Sequence, residues 1–192
     1  MTAPQPISPA QRAKGRRTLL LLAIVAIAPV IASYSAYYFF PREQRTNYGE
    51  LLAIPAPPMA GTRADGQAFA LSQLRGKWVL FAGSHGSCEA ACQRDLFATR
   101  QARTIQGREM DRVQRVWLVT DEAAPDAALL AQHPDLLVAH VPRATLAALP
   151  AGVDRIYLVD PLGNLVLAFP VDPDVKRMAK DVERVLRASR IG

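Results

Sequence analysis

The two cysteines of this chain, Cys88 and Cys92, follow a short apolar run at residues 78–81. That run is bounded by Gly76 and Gly83, and a short apolar run between such turn residues is typical of a buried strand. The residues after the first cysteine contain no glycine or proline up to position 107, which predicts a helix. A strand that turns sharply into a helix carrying Cys-x-x-x-Cys constrains the fold more than any other feature of the chain.

On such a helix Cys88, Cys92, Leu96 and Phe97 lie on one face. Residues at i and i+4 are roughly 6 Å apart between Cα atoms, a separation that a disulfide tolerates. The N–H groups at a helix N-terminus stabilise thiolates. A thiolate pair also binds soft metals such as copper(I) or zinc, with a further ligand such as histidine. Three interpretations stay open: a dithiol–disulfide couple, a metal clamp, and a structural bridge or pair of buried thiols.

The charge of the chain is concentrated at its N-terminus. The net charge is +6, and Arg12, Lys14, Arg16 and Arg17 precede residue 18 with no acidic residue among them. The rest of the chain therefore carries only a small positive surplus, which argues against a nucleic-acid-binding surface. Half of the residues are apolar, enough to form the core of one medium-sized domain.

An uncharged apolar stretch of 23 residues follows at Thr18–Phe40, and it is long enough to span a bilayer. Pro29 is tolerated inside such a helix, and the aromatic residues at 34–40 suit the far membrane interface. The basic residues 1–17 predict a cytoplasmic N-terminus, a single span of the bacterial inner membrane, and a periplasmic position for residues 41–192. A cleaved signal peptide fits less well because the stretch lacks a clear small-x-small site, and a twin-arginine signal is a further alternative.

Residues 41–59 are rich in proline and predict a stiff, extended spacer ahead of a domain at residues 60–192. In that domain, apolar β-branched runs alternate with helical patterns. Strands are predicted at 67–71, 78–81, 113–120, 136–141, 156–159 and 165–169, and further helices at 126–132, 143–149 and after Asp172 as N-cap. This order predicts an α/β domain with a central mixed sheet flanked by helices, as in the thioredoxin-like fold.

The sequence resembles the Sco family of copper chaperones and thiol reductases, which help to assemble the binuclear copper site of cytochrome c oxidase. The resemblance rests on the Cys88-x-x-x-Cys92 spacing, on Asp65-Gly66 and Leu71–Phe81 before it, on Ile156–Gly163 near the C-terminus, and on the single N-terminal anchor. It covers roughly residues 60–190. It implies a membrane-anchored, thioredoxin-like protein that assists oxidase assembly by relaying copper or exchanging disulfides through Cys88 and Cys92.

The chain departs from the Sco pattern in two places. The family has a proline and an acidic residue between its cysteines and a proline after the second, whereas this chain has Glu89–Ala91 between them and Gln93 after them. The family also places a third copper ligand, a histidine, shortly before the Ile-Tyr-Leu strand. The corresponding stretch here, Pro150–Arg155, contains no histidine.

Of the three histidines in the chain, only His85 is predicted to replace the missing ligand. His85 lies in the same loop as Cys88 and is predicted as a metal ligand together with Cys88 and Cys92, the alternative being an exposed loop histidine. His133 is interpreted as a charge at a helix C-terminus. His140 is interpreted as a core histidine with its hydrogen bonds satisfied.

The leading hypothesis is a Sco-like protein whose client is a cytochrome c oxidase subunit or another thiol or copper client. In its redox version Cys88 is the attacking thiolate and Cys92 resolves the mixed disulfide. One alternative is a general thiol–disulfide oxidoreductase unconnected with copper, and another is a non-catalytic scaffold with a fixed disulfide. Asp121-Glu122 is interpreted as a cap of the following helix and is left out of the site.

Overall fold

The computed structural model of the chain describes residues 9–39 and 47–189. For residues 9–15 and 36–39 it describes the backbone but not the side chains. The described chain falls into two compact units that divide after Arg45.

Some of the sequence-based predictions lie outside the described residues. These are the predictions for residues 1–8 of the basic tail, for Phe40, for residues 41–46 of the spacer, and for residues 190–192 at the end of the domain. The side chains of Arg12 and Lys14, on which the predicted orientation partly rests, are also outside what the structure describes.

In the first unit, the structure describes one helix, α1 (Pro9–Phe39), with Pro29 inside it. Its segment Arg16–Ser35 is long and apolar enough to cross a membrane, judged by length and composition. The large apolar side chains described on this segment are exposed, and an apolar helix without a protein core around it suits lipid. The stretch predicted to span the membrane therefore falls on a helix that can do so.

The second unit is built on one mixed sheet, which has eight strands among the described residues. The strands are β1 (Glu50–Pro55), β2 (Ala60–Arg63), β3 (Ala68–Ala70), β4 (Trp78–Ser84), β5 (Val113–Val119), β6 (Leu136–His140), β7 (Tyr157–Val159) and β8 (Asn164–Ala168). Their spatial order is β1-β8-β7-β4-β5-β6-β2-β3. Strands β4, β5 and β6 run parallel, and every other pairing is antiparallel.

Helices lie on both faces of this sheet. They are α2 (Ala90–Ile105), α3 (Ala127–Ala131), α4 (Arg143–Ala147) and α5 (Val175–Ala188), with 3₁₀ turns at Leu71–Leu74 and Gly107–Arg112. The prediction of an α/β domain with a central mixed sheet flanked by helices is confirmed. Predicted strands and helices agree with observed ones at most positions. The exceptions are the start of α2, the cap of α5, and the strands β1 and β2, which the sequence did not predict.

Alternation along the central strands divides the core between the two faces. Val79 and Phe81 of β4 join a cluster that contains Leu146 of α4. Trp78 and Leu80 alternate with these two residues along the strand, and they join the cluster that contains residues of α2 and α5 on the opposite face. Successive strand residues point to opposite faces, so a run that is apolar at every position is buried on both sides.

The last helix begins later than the sequence predicts. Asp174, not Asp172, is its N-cap, and the Asp174 carboxylate accepts a hydrogen bond from the Arg177 N–H at 2.9 Å. Asp172 instead has a φ of 53° and forms an ion pair with Arg94 of α2. Both aspartates suit an N-cap chemically, but Asp174 directly precedes Val175, the first residue of the helix to pack against the core.

The chain also enters the sheet earlier than the sequence predicts. Strand β1 lies within the stretch predicted to be an extended spacer, and it pairs antiparallel with β8 from Glu50 to Pro55. It is an edge strand whose residues are mostly exposed. An edge strand buried on neither face needs no apolar alternation and tolerates proline, so the sequence pattern of a strand is absent here.

Asp181 of α5 holds the start of this domain in place. Its side chain is 3% exposed and accepts hydrogen bonds from the backbone N–H groups of Tyr48 at 2.6 Å and Gly49 at 2.9 Å. Arg184 donates to the same carboxylate at 2.9 Å. The carboxylate thus connects the residues just before β1 to the last helix.

We expect Asp181→Ala to lower the free energy of unfolding by about 3 kcal/mol, because it leaves the backbone N–H groups of Tyr48 and Gly49 without their acceptor. Urea unfolding of the full chain in detergent, followed by tryptophan fluorescence, measures the change. The control is Glu183→Ala on the same helix, whose exposed ion pair with Arg187 is worth less than about 1 kcal/mol. Equal effects of the two substitutions would contradict the role given to Asp181.

Candidate functional site

The cysteines lie at the edge of the sheet where the parallel strands end. Strand β4 ends at Ser84, next to the end of β5. The Ser84 carbonyl accepts a hydrogen bond from the Thr120 N–H at 3.0 Å. The Ser84 hydroxyl accepts one from the Trp117 indole N–H at 2.8 Å. The loop that follows, residues 85–89, leads from this point into α2.

Cys88 and Cys92 are joined by a disulfide, with 5.1 Å between their Cα atoms. The prediction that both lie in one helix is wrong for Cys88. Helix α2 begins at Ala90 with Glu89 as N-cap, so only Cys92 is in its first turn. Cys88 has a φ of 42°, a left-handed conformation that costs a non-glycine residue roughly 1 kcal/mol, and this turn brings it to Cys92.

Hydrogen bonds on either side of Cys88 hold this turn. The Cys88 N–H donates to the His85 carbonyl at 3.1 Å. The Gln93 side-chain amide reaches back from α2 and donates to the Cys88 carbonyl at 3.0 Å. The backbone polar groups of the strained residue are therefore both paired, which offsets part of the conformational cost.

The disulfide lies in an apolar setting. Cys88 is 2% and Cys92 6% exposed, and both belong to a buried cluster with Leu96, Trp117, Val119 and Val138. Leu129 and Leu130 of α3 pack against this cluster. Phe97, predicted on the same face as the cysteines, is instead 47% exposed, because it is one residue beyond the buried Leu96 and points away from the sheet.

The neighbouring loop after β5 contacts the cysteine loop through Asp121. The Asp121 carboxylate accepts a hydrogen bond from the Gly86 N–H at 2.8 Å and another from His85 Nδ1 at 3.0 Å. These hydrogen bonds, first of all the one from Gly86, hold the pKa of Asp121 below its usual value. His140 Nδ1 donates to the Asp121 carbonyl at 3.0 Å. Asp121 therefore lies between the two histidines at this edge of the sheet.

His85 is in the cysteine loop as predicted, but its ring is oriented by a carboxylate. A carboxylate only accepts hydrogen bonds, so Nδ1 carries the proton of the neutral ring and Nε2 keeps its lone pair. The side chain is 57% exposed. In the described part of the chain no group of three or more histidine, cysteine, aspartate or glutamate side chains is arranged to hold a metal ion.

A family model described as a transmembrane-like, thioredoxin-like, C-terminal domain matches residues 78–189, which is more than half of the chain. The chain belongs to this family. Comparison with curated protein sequences finds no match. The matched residues run from β4 through α5, so they include the whole cysteine site of this thioredoxin-like domain.

Solved structures share the fold. Copper-bound ScoI of Bradyrhizobium japonicum is 22% identical with a TM-score of 0.54 and covers 69% of this chain and 99% of its own. Copper-bound yeast Sco1 is 18% identical with a TM-score of 0.59, covering 73% and 96%. The thioredoxin domain of a Bacteroides vulgatus thiol-disulfide oxidoreductase is 17% identical with a TM-score of 0.55, covering 70% and 96%. The predicted thioredoxin-like fold and the likeness to Sco proteins are confirmed at the level of the fold.

The structure contradicts the role predicted for His133 in this thioredoxin-like domain. His133 is not a charge at a helix end: it is buried, and its Nδ1 accepts a hydrogen bond from the buried Arg115 at 3.2 Å. Arg115 also donates to the Leu96 carbonyl and to the Thr99 hydroxyl. Burial, with Arg115 and Arg100 nearby, lowers the pKa of His133 to about 4, and burial lowers that of Arg115 to about 10.

The pKa of Asp95, one turn after Cys92, is shifted in the opposite direction from that of His133. Burial raises its pKa to about 6, assisted by the negative charges of Asp172 and Asp154 and opposed by Arg94.

The sequence predicts His140 to be a core histidine with its hydrogen bonds satisfied. Its hydrogen bond to the Asp121 carbonyl agrees with that prediction, although the side chain is only half-buried. The sequence analysis does not assign Asp121 to the site, yet this residue lies two positions after β5 at the cysteine edge, a position that can be identified from the sequence.

The low pKa of His133 makes stability depend on pH. The unfolded side chain binds a proton below its usual pKa of 6.5, whereas the folded one does so only below about 4. Its contribution is therefore complete above pH 6.5 and is lost as the pH falls towards 4. His133→Gln keeps an acceptor for Arg115 without titrating. We expect the wild type to lose about 3 kcal/mol between pH 7 and pH 4 that the variant does not lose.

Urea unfolding at a series of pH values measures this difference. Asp95, Arg115 and all other titrating groups are common to both proteins, so the difference between the two curves isolates His133. If the free energies of unfolding of the wild type and of His133→Gln change with pH in parallel across this range, a buried, neutral His133 is contradicted.

Proposed function

We propose that this protein is a membrane-anchored thiol–disulfide exchange protein that uses Cys88 and Cys92 to assist the assembly of the copper site of cytochrome c oxidase. The observation that carries the proposal is the disulfide between these two residues, where a parallel strand meets a helix N-terminus. Proteins of the same fold include copper-bound Sco proteins and a thiol-disulfide oxidoreductase. The oxidase client comes from the resemblance to the Sco family.

The exchange reaction reduces a disulfide in the client. A thiolate of the reduced protein attacks a client sulfur, forming a mixed disulfide and releasing one client thiolate. The second cysteine then attacks the mixed disulfide, so the client leaves as a dithiol and the protein is left with its disulfide. Two electrons pass to the client, and a dithiol reductant of the same compartment returns the protein to its reduced form.

Cys88 is proposed as the attacking sulfur. It lies in the loop ahead of Ala90, where the free N–H groups at the start of α2 stabilise a thiolate. Cys92, in the first turn of the helix, is held by its neighbours in α2 and is the resolving residue. Because both residues are buried in the disulfide form, reduction of that form requires the loop to open.

Copper relay is the second proposed function, with copper(I) as cargo. The donor set fits in part: two thiolates suit copper(I) once the disulfide is reduced, and Asp121 leaves the Nε2 lone pair of His85 available as a third ligand. The described residues gather no complete ligand set, and the stretch before β7 has no histidine. Exchange chemistry is therefore the better-supported function.

The proposed arrangement in the cell follows from the N-terminal part of the chain. The tail at 1–17 is proposed to be cytoplasmic and 18–40 to span the bacterial inner membrane. The residues after 40 are proposed to lie in the periplasm, where the domain that begins with β1 acts. The apolar segment of α1 and the basic residues that precede that segment in the sequence support this orientation. A compartment that permits disulfides agrees with a cysteine pair that cycles.

The order of attack predicts which single variant accumulates an intermediate. We expect Cys92→Ser, incubated reduced with a model peptide disulfide, to form a stable mixed disulfide through Cys88, because the resolving thiol is absent. Cys88→Ser is expected to form at least tenfold less under the same conditions, because it lacks the activated thiolate. Mass spectrometry of the alkylated full chain in detergent measures both, with the double serine variant as control. Equal trapping would contradict the assignment.

The copper alternative is tested by anaerobic titration of the reduced full chain in detergent against a competing copper(I) chelator. If copper is cargo, binding is one-to-one, is abolished in the double serine variant, and weakens about tenfold in His85→Ala because one ligand is lost. His133→Gln is the matched control, since that histidine is buried away from the loop. Binding equal to that of the double serine variant would exclude the relay and leave the exchange function.

A further inference from the structure

Asp121 lies in the loop after β5, and its side chain forms two hydrogen bonds with the cysteine loop. Among the described residues, no other side chain outside the cysteine loop and α2 does so. It comes two residues after β5, which pairs in parallel with β4 as far as Ser84. Asp126, not Asp121, is the N-cap of α3 and accepts a bond from the Ala128 N–H. The carboxylate of Asp121 is thus directed away from the helix that the sequence assigned it to and towards the residues before Cys88.

The two acceptor oxygens bind consecutive residues of the loop. One accepts from the Gly86 N–H at 2.8 Å and the other from His85 Nδ1 at 3.0 Å. Hydrogen bonds to an ionised acceptor are stronger than those between neutral groups. The low pKa of Asp121 means that the carboxylate is ionised at neutral pH, so both bonds are of this stronger kind.

Packing confirms how closely the two loops are held together. A Cβ on Gly86 would lie 2.0 Å from the Ala123 carbonyl oxygen, so the loop after β5 and the cysteine loop touch at a point that only glycine permits. The chain then turns at Cys88, whose N–H donates to the His85 carbonyl. Both residues that Asp121 binds therefore precede the turn directly, and one of them supplies the acceptor that closes it.

We propose that Asp121 is a positioning residue for the Cys88–Cys92 couple, holding the loop so that the Cys88 thiol stays close to Cys92 when the pair is reduced. The inference rests on the proposed exchange function and adds a residue outside the cysteine motif to it. A reduced loop that keeps its shape gives the two thiols a high effective concentration, which favours the disulfide. Loss of the carboxylate lowers that concentration and makes the disulfide a stronger oxidant.

The equilibrium with glutathione measures this property. One protein disulfide and two glutathione molecules are in exchange with the protein dithiol and one glutathione disulfide, so the equilibrium constant reports the effective concentration directly. Asp121→Ala removes both acceptors. We expect it to lower the effective concentration about tenfold, which corresponds to a reduction potential about 30 mV less negative.

Two further variants separate positioning from charge and from general destabilisation. Asp121→Asn has the same shape, keeps an oxygen for the Gly86 N–H and removes the charge, so we expect less than half of the shift in log equilibrium constant seen for Asp121→Ala. Glu122→Ala removes an exposed negative charge next in sequence and is expected to leave the equilibrium unchanged. Urea unfolding of each oxidised variant records stability separately.

Each outcome of this titration of the full chain in detergent decides the matter. A wild-type disulfide that does not exchange with glutathione or dithiothreitol overturns the proposed function and this inference together. Wild-type exchange with an unchanged equilibrium in Asp121→Ala, even if that variant unfolds more easily, overturns the inference alone. A shift in Asp121→Asn as large as in Asp121→Ala also overturns it, because the charge and not the held loop would be the cause. If Asp121→Ala does not fold, an unshifted equilibrium in His85→Ala overturns it, since that variant loses one of the two bonds.

Discussion

Seven residue pairs join β4 to β5 in parallel, from Trp78 opposite Val113 to Ser84 opposite Val119. Because parallel strands end at the same edge of a sheet, this pairing brings the loops after β4 and β5 side by side. The first loop contains the cysteine turn and the second contains Asp121. The contact between them, through Gly86 and Ala123 as well as the carboxylate, exists only because the two strands are in this register.

The surroundings of the disulfide disfavour charge. Trp117, Leu96 and Val138 enclose it, and on the periphery of the same region burial shifts the pKa of His133 downward and that of Asp95 upward. Both shifts stabilise the neutral form of the side chain. Arg115, the buried cation of this region, is accommodated because its guanidinium donates to the Leu96 carbonyl, the Thr99 hydroxyl and the His133 ring.

Much of the fold could be predicted from residue patterns because the central strands are buried on both faces. Their uninterrupted apolar runs at β4 and β5 are visible in any reading of the sequence. The patterns do not predict strands β1 and β2, because both are largely exposed and have no such apolar run. The start of α2 was misplaced by two residues because Cys88 adopts a left-handed conformation that residue type does not disclose.

The sequence by itself determined the cysteine pair, its place between a buried strand and a helix, and the apolar segment ahead of the domain, since these depend on local composition and spacing. The tertiary structure alone decided which residues surround that pair. Asp121 is 33 residues after Cys88 in the chain and reaches its loop only through strand pairing, and Arg115 and His133 meet only when β5 and the residues after α3 pack together. Contacts of this kind carry no signature in local sequence, because they are set by sheet register and side-chain packing over long chain separations.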